Sequence, residues 1–281
     1  MADGGRMQRT IGRVGGTAYQ RAGRGAPLLF VHGVGMRSGF WGPQIEAFAG
    51  SHDVVAYDVL GHGGSVLPPD GVTLRVYADQ LLAVMDGLGL DTASVVGHSM
   101  GALVALECAL GHPERIERVV AMNAVYCRTS PQRAAVARRA ANLDGGHTEE
   151  GRRATLARWF GEPVPVDLDG AVRWVERALA EVDPVGYART YRLFASSDRA
   201  HEGRLPELSV PALFTTGEFD PNSTPAMSRA MADAAPQGRA IVLPGERHMM
   251  SLVSPASVNA VLRLFLNETA VMLPALGGQR P

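Results

Sequence analysis

Gly97-His98-Ser99-Met100-Gly101 lies between a β-type run, Ala93–Val96, and an apolar helical run, Ala102–Leu110. This is G-x-S-x-G at a strand-to-helix junction. A nucleophile on so tight a turn has its neighbours forced close, and glycine two residues to either side removes the β-carbons that would clash. The serine hydroxyl can then stand clear of the sheet. So short a pattern also arises by chance, but the strand before it and the helix after it supply the context that a functional elbow needs.

The flanking chain repeats this rhythm. Thr10–Val14 and Thr17–Gln20 flank Gly15-Gly16 as a hairpin. Leu28–Val31, Val54–Tyr57, Ala93–Val96 and Arg118–Met122 are short apolar runs of the kind that form buried parallel strands, with helical patterns at Leu74–Leu88 and Met100–Leu110. From about Arg128 to Leu205 the alternation stops. Ala134–Leu143, Glu149–Phe160, Ala171–Glu181 and Pro184–Ala195 are successive helices, broken at Gly145-Gly146 and Gly161–Pro165. Val210–Thr215, Ala226–Ala235, Ala240–Leu243 and Ser254–Leu266 then restore strand, helix, strand and helix. The expected fold is α/β: a mostly parallel central sheet flanked by helices, with a helical cap inserted after the sixth strand. Residues 1–127 and 206–281 would form the core and 128–205 the cap, with disorder at the first residues and a frayed tail at Pro274–Pro281.

A serine alkoxide is too basic to exist free at neutral pH, so Ser99 needs a base. Eight histidines compete. His32 and His62 lie in glycine-rich turns, and His52, His147 and His201 lie in polar stretches that suggest solvated loops. His98 neighbours the nucleophile on a turn whose consecutive side chains point apart, and His112 sits at a helix end before Pro113. His248 differs: Pro244-Gly245-Glu246-Arg247-His248 follows the strand Ala240–Leu243 and precedes the last helix, at the sheet edge that carries Ser99. The orienting acid should also follow a strand, and Asp220 does, closing Thr216-Gly217-Glu218-Phe219-Asp220. Glu218 is its rival, and capping the helix beyond Pro221 is the other role open to Asp220. Asp220 would hold the imidazole tautomer and stabilise the imidazolium that forms. For the developing oxyanion, candidate donors are the N–H of Met100 and that of Val34 in the loop His32-Gly33-Val34-Gly35.

The same loop suggests a second class. Gly33-x-Gly35 follows a strand and Asp58 closes the next, as in a dinucleotide site, but the third glycine fails because position 38 is Ser38. Asp58-Val59-Leu60-Gly61-His62-Gly63-Gly64-Ser65 has no proton-transfer task and suits a tight turn near the elbow.

With 281 residues, 46% hydrophobic and 20% charged, the chain suits one large α/β domain carrying an insertion. A net charge of -1, with no basic stripe interleaved with aromatics, weighs against nucleic acid as a partner. There is no lysine, which excludes Schiff-base catalysis, Ser-Lys dyads and phosphate-binding P-loops. No H-E-x-x-H or Cys/His cluster suggests a metal, and no cofactor is expected. Cys108, inside an apolar helix, and Cys127 form no C-x-x-C pair and fit a reducing compartment. The segment Met1-Ala2-Asp3-Gly4-Gly5-Arg6 lacks the apolar core of a signal peptide, and no apolar run is long enough to span a bilayer. A cytoplasmic protein acting on a small molecule is the expectation.

From about Arg9 to Leu266 the chain resembles the α/β-hydrolase superfamily. The resemblance rests on His32-Gly33-Val34-Gly35, Asp58-x-x-Gly61-His62-Gly63-x-Ser65, Gly97-His98-Ser99-Met100-Gly101, Gly217-x-x-Asp220 and Gly245-x-x-His248. The order Ser99, Asp220, His248 is that of this superfamily and not of the unrelated serine proteases. Within it the chain is most similar to the group of 3-oxoadipate enol-lactonases, small carboxylesterases and meta-cleavage C–C hydrolases. Asp183-Pro184-x-Gly186-Tyr187 is similar to the enol-lactonases in particular, while Ala102 stands where that group often has a second glycine. Serine at 99 argues against haloalkane dehalogenase or epoxide hydrolase relatives, which use aspartate there.

The cap is rich in arginine: Arg128, Arg133, Arg138, Arg139, Arg152, Arg153, Arg189 and Arg192. Most should be solvated faces balanced by Glu149, Glu150, Glu176 and Glu181. One or two could clamp a carboxylate, since guanidinium matches it bidentately. Arg37, Trp41, Trp159 and Arg192 are the candidate substrate contacts, with Phe160 a further candidate for the acyl pocket. The expected activity is hydrolysis of a small, acidic ester or lactone through an acyl-enzyme on Ser99. Amide hydrolysis and C–C cleavage of a vinylogous diketone use the same residues. Acyl transfer, perhydrolysis and a non-catalytic ligand receptor on this fold also remain open.

Overall fold

The structure is a computed structural model that describes residues 9–143 and 148–267. The expected frayed ends, the Gly145-Gly146 break and His147 lie outside the described residues.

The apolar runs become the strands of one eight-stranded sheet: β1 (Arg9–Val14), β2 (Thr17–Gly23), β3 (Ala26–Val31), β4 (His52–Tyr57), β5 (Ala93–His98), β6 (Ile116–Met122), β7 (Ala212–Gly217) and β8 (Gly238–Leu243). Their order is β1-β2-β4-β3-β5-β6-β7-β8. The hairpin β1–β2 joins the sheet antiparallel to β4, and every other pairing is parallel. Every residue of β5 and β7 is buried, as a parallel strand covered on both faces requires. The helices are α1 (Gly42–Phe48), α2 (Leu74–Gly87), α3 (Met100–Gly111), α4 (Ser130–Ala141), α5 (Glu149–Phe160), α6 (Asp169–Glu181), α7 (Pro184–Ser196), α8 (Pro225–Ala234), α9 (Met250–Val253) and α10 (Pro255–Leu266).

Helix α1 is not anticipated by periodicity, because seven residues are too few to show it. Tertiary contacts stabilise it instead. Ile45 and Phe48 are buried against the sheet, and the Gln44 side chain donates to Ser251 O (3.1 Å) and Asn259 Oδ1 (3.2 Å). Phe30, Trp41, Phe48 and Phe214 are fully buried, each worth roughly 1.5–3 kcal/mol of apolar transfer.

Between β6 and β7 come only helices among the described residues, α4 to α7. Their starts are written locally. Thr129 and Gln132 form a capping box on α4, Thr148 accepts from Gly151 N on α5, and Asp183 accepts from Val185 N and Gly186 N, both at 2.9 Å, on α7. The insertion is fastened to the core where glycine meets glycine: a β-carbon on Gly186 would stand 2.2 Å from Gly61 O. Thr190 Oγ1 bonds Tyr77 Oη at 2.6 Å, and Arg189 pairs with Asp70. At its base, Asp198 accepts from Arg128 N (2.8 Å) and its carbonyl accepts from Cys127 N (2.7 Å), joining the first and last turns of the insertion.

After β3 the chain runs outward to β4, then crosses back over β3 to β5 and continues to β8. The reversal falls between β3 and β5, where α/β sheets open a crevice at the carboxyl ends of the strands. Register brings those ends level: Val31 pairs with Gly97, His98 with Met122 and Gly217 with Leu243. Ser99, Asp220 and His248 all follow on this edge. No helix among the described residues is long and apolar enough to cross a membrane.

Candidate active site

Ser99 sits at φ 56°, ψ −114°, a conformation that costs an L-residue on the order of 1–3 kcal/mol and persists only when its surroundings impose it. Here β5 and α3 impose it. A β-carbon on Gly97 would stand 2.0 Å from Gly101 O, and one on Gly101 would stand 2.2 Å from Val31 O, so both glycines of the elbow are sterically required. Ser99 N donates to Met122 O (2.8 Å), which ties the elbow to β6.

His248 lies in the turn after β8, 2% exposed, and its Nδ1–H donates to Asp220 Oδ2 at 2.7 Å. Asp220 also accepts from Asn123 Nδ2 (2.8 Å), Asn222 N (2.8 Å) and Ser223 N (3.2 Å). Burial alone would raise the Asp220 carboxyl. His248 and these donors outweigh it and hold the group below its ordinary value. The rival, Glu218, is exposed and accepts from Gly245 N. Asn123, at φ 51° directly after β6, is a site residue that the sequence analysis missed. Its position at the end of a strand, next to the acid's strand, was the available signal.

Ser99 and His248 line one cavity of about 150 Å³, with Val34, Trp159, Tyr187 and Tyr191. The Ser99 hydroxyl has no hydrogen bond among the described residues. Contacts of this kind commonly tighten only when substrate binds. Met100 N opens α3, where the first N–H groups have no intrahelical acceptor.

The loop containing Val34 is held by two histidines acting reciprocally. His32 Nε2 accepts from Val59 N (3.0 Å), while His62 Nε2 accepts from Gly35 N (2.9 Å). Each ring therefore carries its proton on Nδ1 and donates to a carbonyl, His32 to Gly33 O (2.8 Å) and His62 to Leu60 O (3.1 Å). Burial lowers both rings' proton affinity, His62 to about 3, so both stay neutral. Asp58 completes the clasp by accepting from Ser38 N (2.6 Å) and Gly64 N (2.8 Å). The segment 58–65, expected to be only a turn, thus pins the loop beside Ser99.

The candidate substrate contacts divide. Trp159 lines the cavity and lies against the His248 ring. Trp41 does not line it; it is buried in the core against Phe30 and Phe40. Arg37 is paired with Glu181 at 2.8 Å on the surface, and Arg192 is on an exposed face of α7. Phe160 is buried and does not line the cavity. The cavity's cations are instead Arg128, Arg139 and Arg158, and no acidic side chain among the described residues lines it. Arg128 is buried with Asp198 at 3.7 Å. Arg139 donates to Tyr191 Oη (2.9 Å), and Arg158 to Ala154 O (3.4 Å) and Thr155 Oγ1 (3.1 Å); neither has a carboxylate partner among the described residues. His201, expected in a solvated loop, is buried and bonds Glu107 at 3.1 Å.

A carboxylate bonded to an imidazole, with a serine hydroxyl lining the same cavity as that ring, is a set of groups from which a proton can pass from alcohol to ring once the two come within hydrogen-bond reach. Known proteins share this fold. The family model of the alpha/beta hydrolase fold matches residues 26–255. An (E)-2-((N-methylformamido)methylene)succinate hydrolase of Acinetobacter baylyi is 36% identical over 89% of this chain and 94% of its own. A 3-oxoadipate enol-lactonase of the same organism is 29% identical over 70% of this chain and 72% of its own. The crystal structure of an enol-lactonase from Burkholderia xenovorans LB400 superposes with a TM-score of 0.81 at 26% identity, covering 92% of this chain and all of that one. Strand order, elbow and family match converge, and the chain belongs to the α/β-hydrolase fold family.

Proposed function

We propose that the chain is a serine hydrolase of small substrates that carry a carboxylate. Ser99 Oγ attacks the substrate carbonyl as His248 Nε2 takes its proton. Asp220 holds the ring and stabilises the imidazolium. The N–H groups of Val34 and Met100 receive the oxyanion, each worth about 3 kcal/mol in such sites. His248 then protonates the leaving group, and water activated by the same ring releases the acyl-enzyme. Residues 128–205 act as a cap over this chemistry.

The observation that carries the substrate class is the charge of the cavity. Arg139 and Arg158 line the cavity that Ser99 lines, with no carboxylate paired to them among the described residues. A substrate carboxylate supplies the missing partner. The names of the two relatives described above, a succinate and an oxoadipate derivative, denote acids. Ester or lactone opening is the reading that the triad favours on chemical grounds, and the 36% identity to a formamide-bearing succinate hydrolase favours an amide-type bond as the second.

Purified protein assayed on matched esters, lactones and N-acyl enamines, with and without a carboxylate, tests this directly. The acids are expected to show kcat/KM about tenfold or more above their neutral counterparts. Arg158→Gln and Arg139→Gln should narrow that gap. A fluorophosphonate should label the protein, and Ser99→Ala should not be labelled. Equal turnover of acidic and neutral substrates removes the carboxylate assignment, and an unlabelled wild type removes the nucleophile.

A further inference from the structure

His98 is the last residue of β5, beside the nucleophile, and the proposed mechanism gives it nothing to do. Its ring is 1% exposed and lies among Phe40 (centroids 4.9 Å), His248 (4.8 Å) and Trp41 (6.4 Å). Its Nε2 lies 2.9 Å from the main-chain oxygen of His248. A carbonyl only accepts, so Nε2 carries the hydrogen and Nδ1 a lone pair. That Nδ1 is buried with no hydrogen-bond partner among the described residues, and a β-carbon on Gly33 would stand 3.2 Å from it. The ring thus spends its one N–H on the backbone of the general base and leaves its other nitrogen unsatisfied, which burial makes costly.

We propose that His98 is a positioning residue that sets the distance between the base and the nucleophile. The inference rests on Ser99 and His248 acting as proposed above. The turn that carries His248 is held from the β7 side by several contacts. Asp220 grips Nδ1, Phe219 N donates to Glu246 O (2.8 Å), and Gly217 packs so closely that a β-carbon there would stand 2.4 Å from the Glu246 backbone. From the β5 side, the contact between the elbow and the His248 main chain is His98. Because His98 and Ser99 are consecutive, the elbow that aims the hydroxyl also anchors the imidazole's backbone. A shift of even an ångström between reacting groups can cost a hundredfold in rate, so a tether at this point is worth a buried, half-satisfied ring.

Three variants separate positioning from packing. His98→Phe keeps the ring volume and loses the donor; His98→Gln keeps an N–H near Nε2; His98→Ala loses both. On an ester that wild type hydrolyses, His98→Phe is expected to lower kcat about tenfold with KM within about twofold, and His98→Gln to recover most of that loss. The rate of fluorophosphonate labelling at Ser99 should follow kcat. If His98→Phe matches wild type in kcat and labelling rate, or His98→Gln is as impaired as His98→Phe, the proposal is overturned. Nitrogen-15 NMR of wild-type histidine needs no variant to fold: His98 should carry its proton on Nε2 and remain neutral at pH 5. A proton on Nδ1, or a charged ring, overturns the proposal even if Ser99 labels normally; failure of wild type to label strikes instead at the nucleophile.

Discussion

Trp159, on the inserted helix α5, lies over the ring of His248, with centroids 5.5 Å apart and planes 26° from parallel. The insertion therefore touches the ring proposed as the base, not only the cavity. An imidazolium formed against an indole face gains roughly 0.5–2 kcal/mol of cation–π attraction. Trp159→Leu is expected to lower kcat about tenfold, and Trp159→Phe, which keeps a weaker π face, to lower it less. Steady-state kinetics on one ester decide; equal losses in the two variants would show that the indole acts by volume alone.

The clasp histidines give stability a dependence on pH. Burial lowers the proton affinity of His32, His62 and His98, with His62 at about 3 against an ordinary 6.5. The unfolded chain binds protons below pH 6.5 that the folded chain refuses. The stabilisation is whole above pH 6.5 and drains away as pH falls towards about 3. His62→Gln keeps an acceptor for Gly35 N and cannot titrate. It should flatten the acid slope by up to about 1.4 kcal/mol per pH unit. Urea unfolding at pH 7 and pH 4.5 measures this, and identical slopes in wild type and variant would exclude the neutral clasp.

The seating of the insertion can be tested at one atom. Gly186→Ala places a methyl 2.2 Å from Gly61 O, backbone against backbone, where neither partner can swing aside. A loss of about 1–3 kcal/mol is expected. Gly170→Ala on α6, where a β-carbon meets nothing within 4 Å, should be neutral or stabilising. Thermal melts of both variants make the comparison.

Asp198 joins the two ends of the insertion and faces Arg128 and Arg133, each at 3.7 Å. Asp198→Ala leaves Arg128 buried without its counter-ion and should cost about 3–5 kcal/mol. Adding Arg128→Met should restore part of that, because the orphaned charge is gone. Chemical denaturation of the single and double variants checks the sign; no recovery in the double variant would place the cost in the lost Arg128 N bond instead.

Much of this was legible from local rules. Ser99 is visible because the glycine pair stands at a strand-to-helix junction; the contact that demands Gly97 lies within the elbow, whereas the one that demands Gly101 comes from Val31, on β3. Asp220 and His248 are visible because parallel strands bring their following turns to one edge. Helix α1 escaped because seven residues carry no period and its stability comes from β4, Ser251 and Asn259. For Trp41 a pocket wall and buried packing are both open from the sequence, and the structure turns its ring into the core against Phe30. Arg158 escaped among many arginines, since nothing local separates a solvated guanidinium from one facing a cavity.

Sequence by itself determined the G-x-S-x-G turn, the alternation that makes the sheet, the run of helices between β6 and β7 and the chain order Ser99, Asp220, His248, since each is read from periodicity or from a short local pattern. Only the tertiary structure decided that His32 and His62 clasp two loops, that His98 bonds the backbone of His248, and that Arg139 and Arg158 line the cavity of Ser99 with no carboxylate partner among the described residues. Those facts depend on where side chains distant in the chain meet, and on which polar groups burial leaves unpaired, neither of which a local pattern contains.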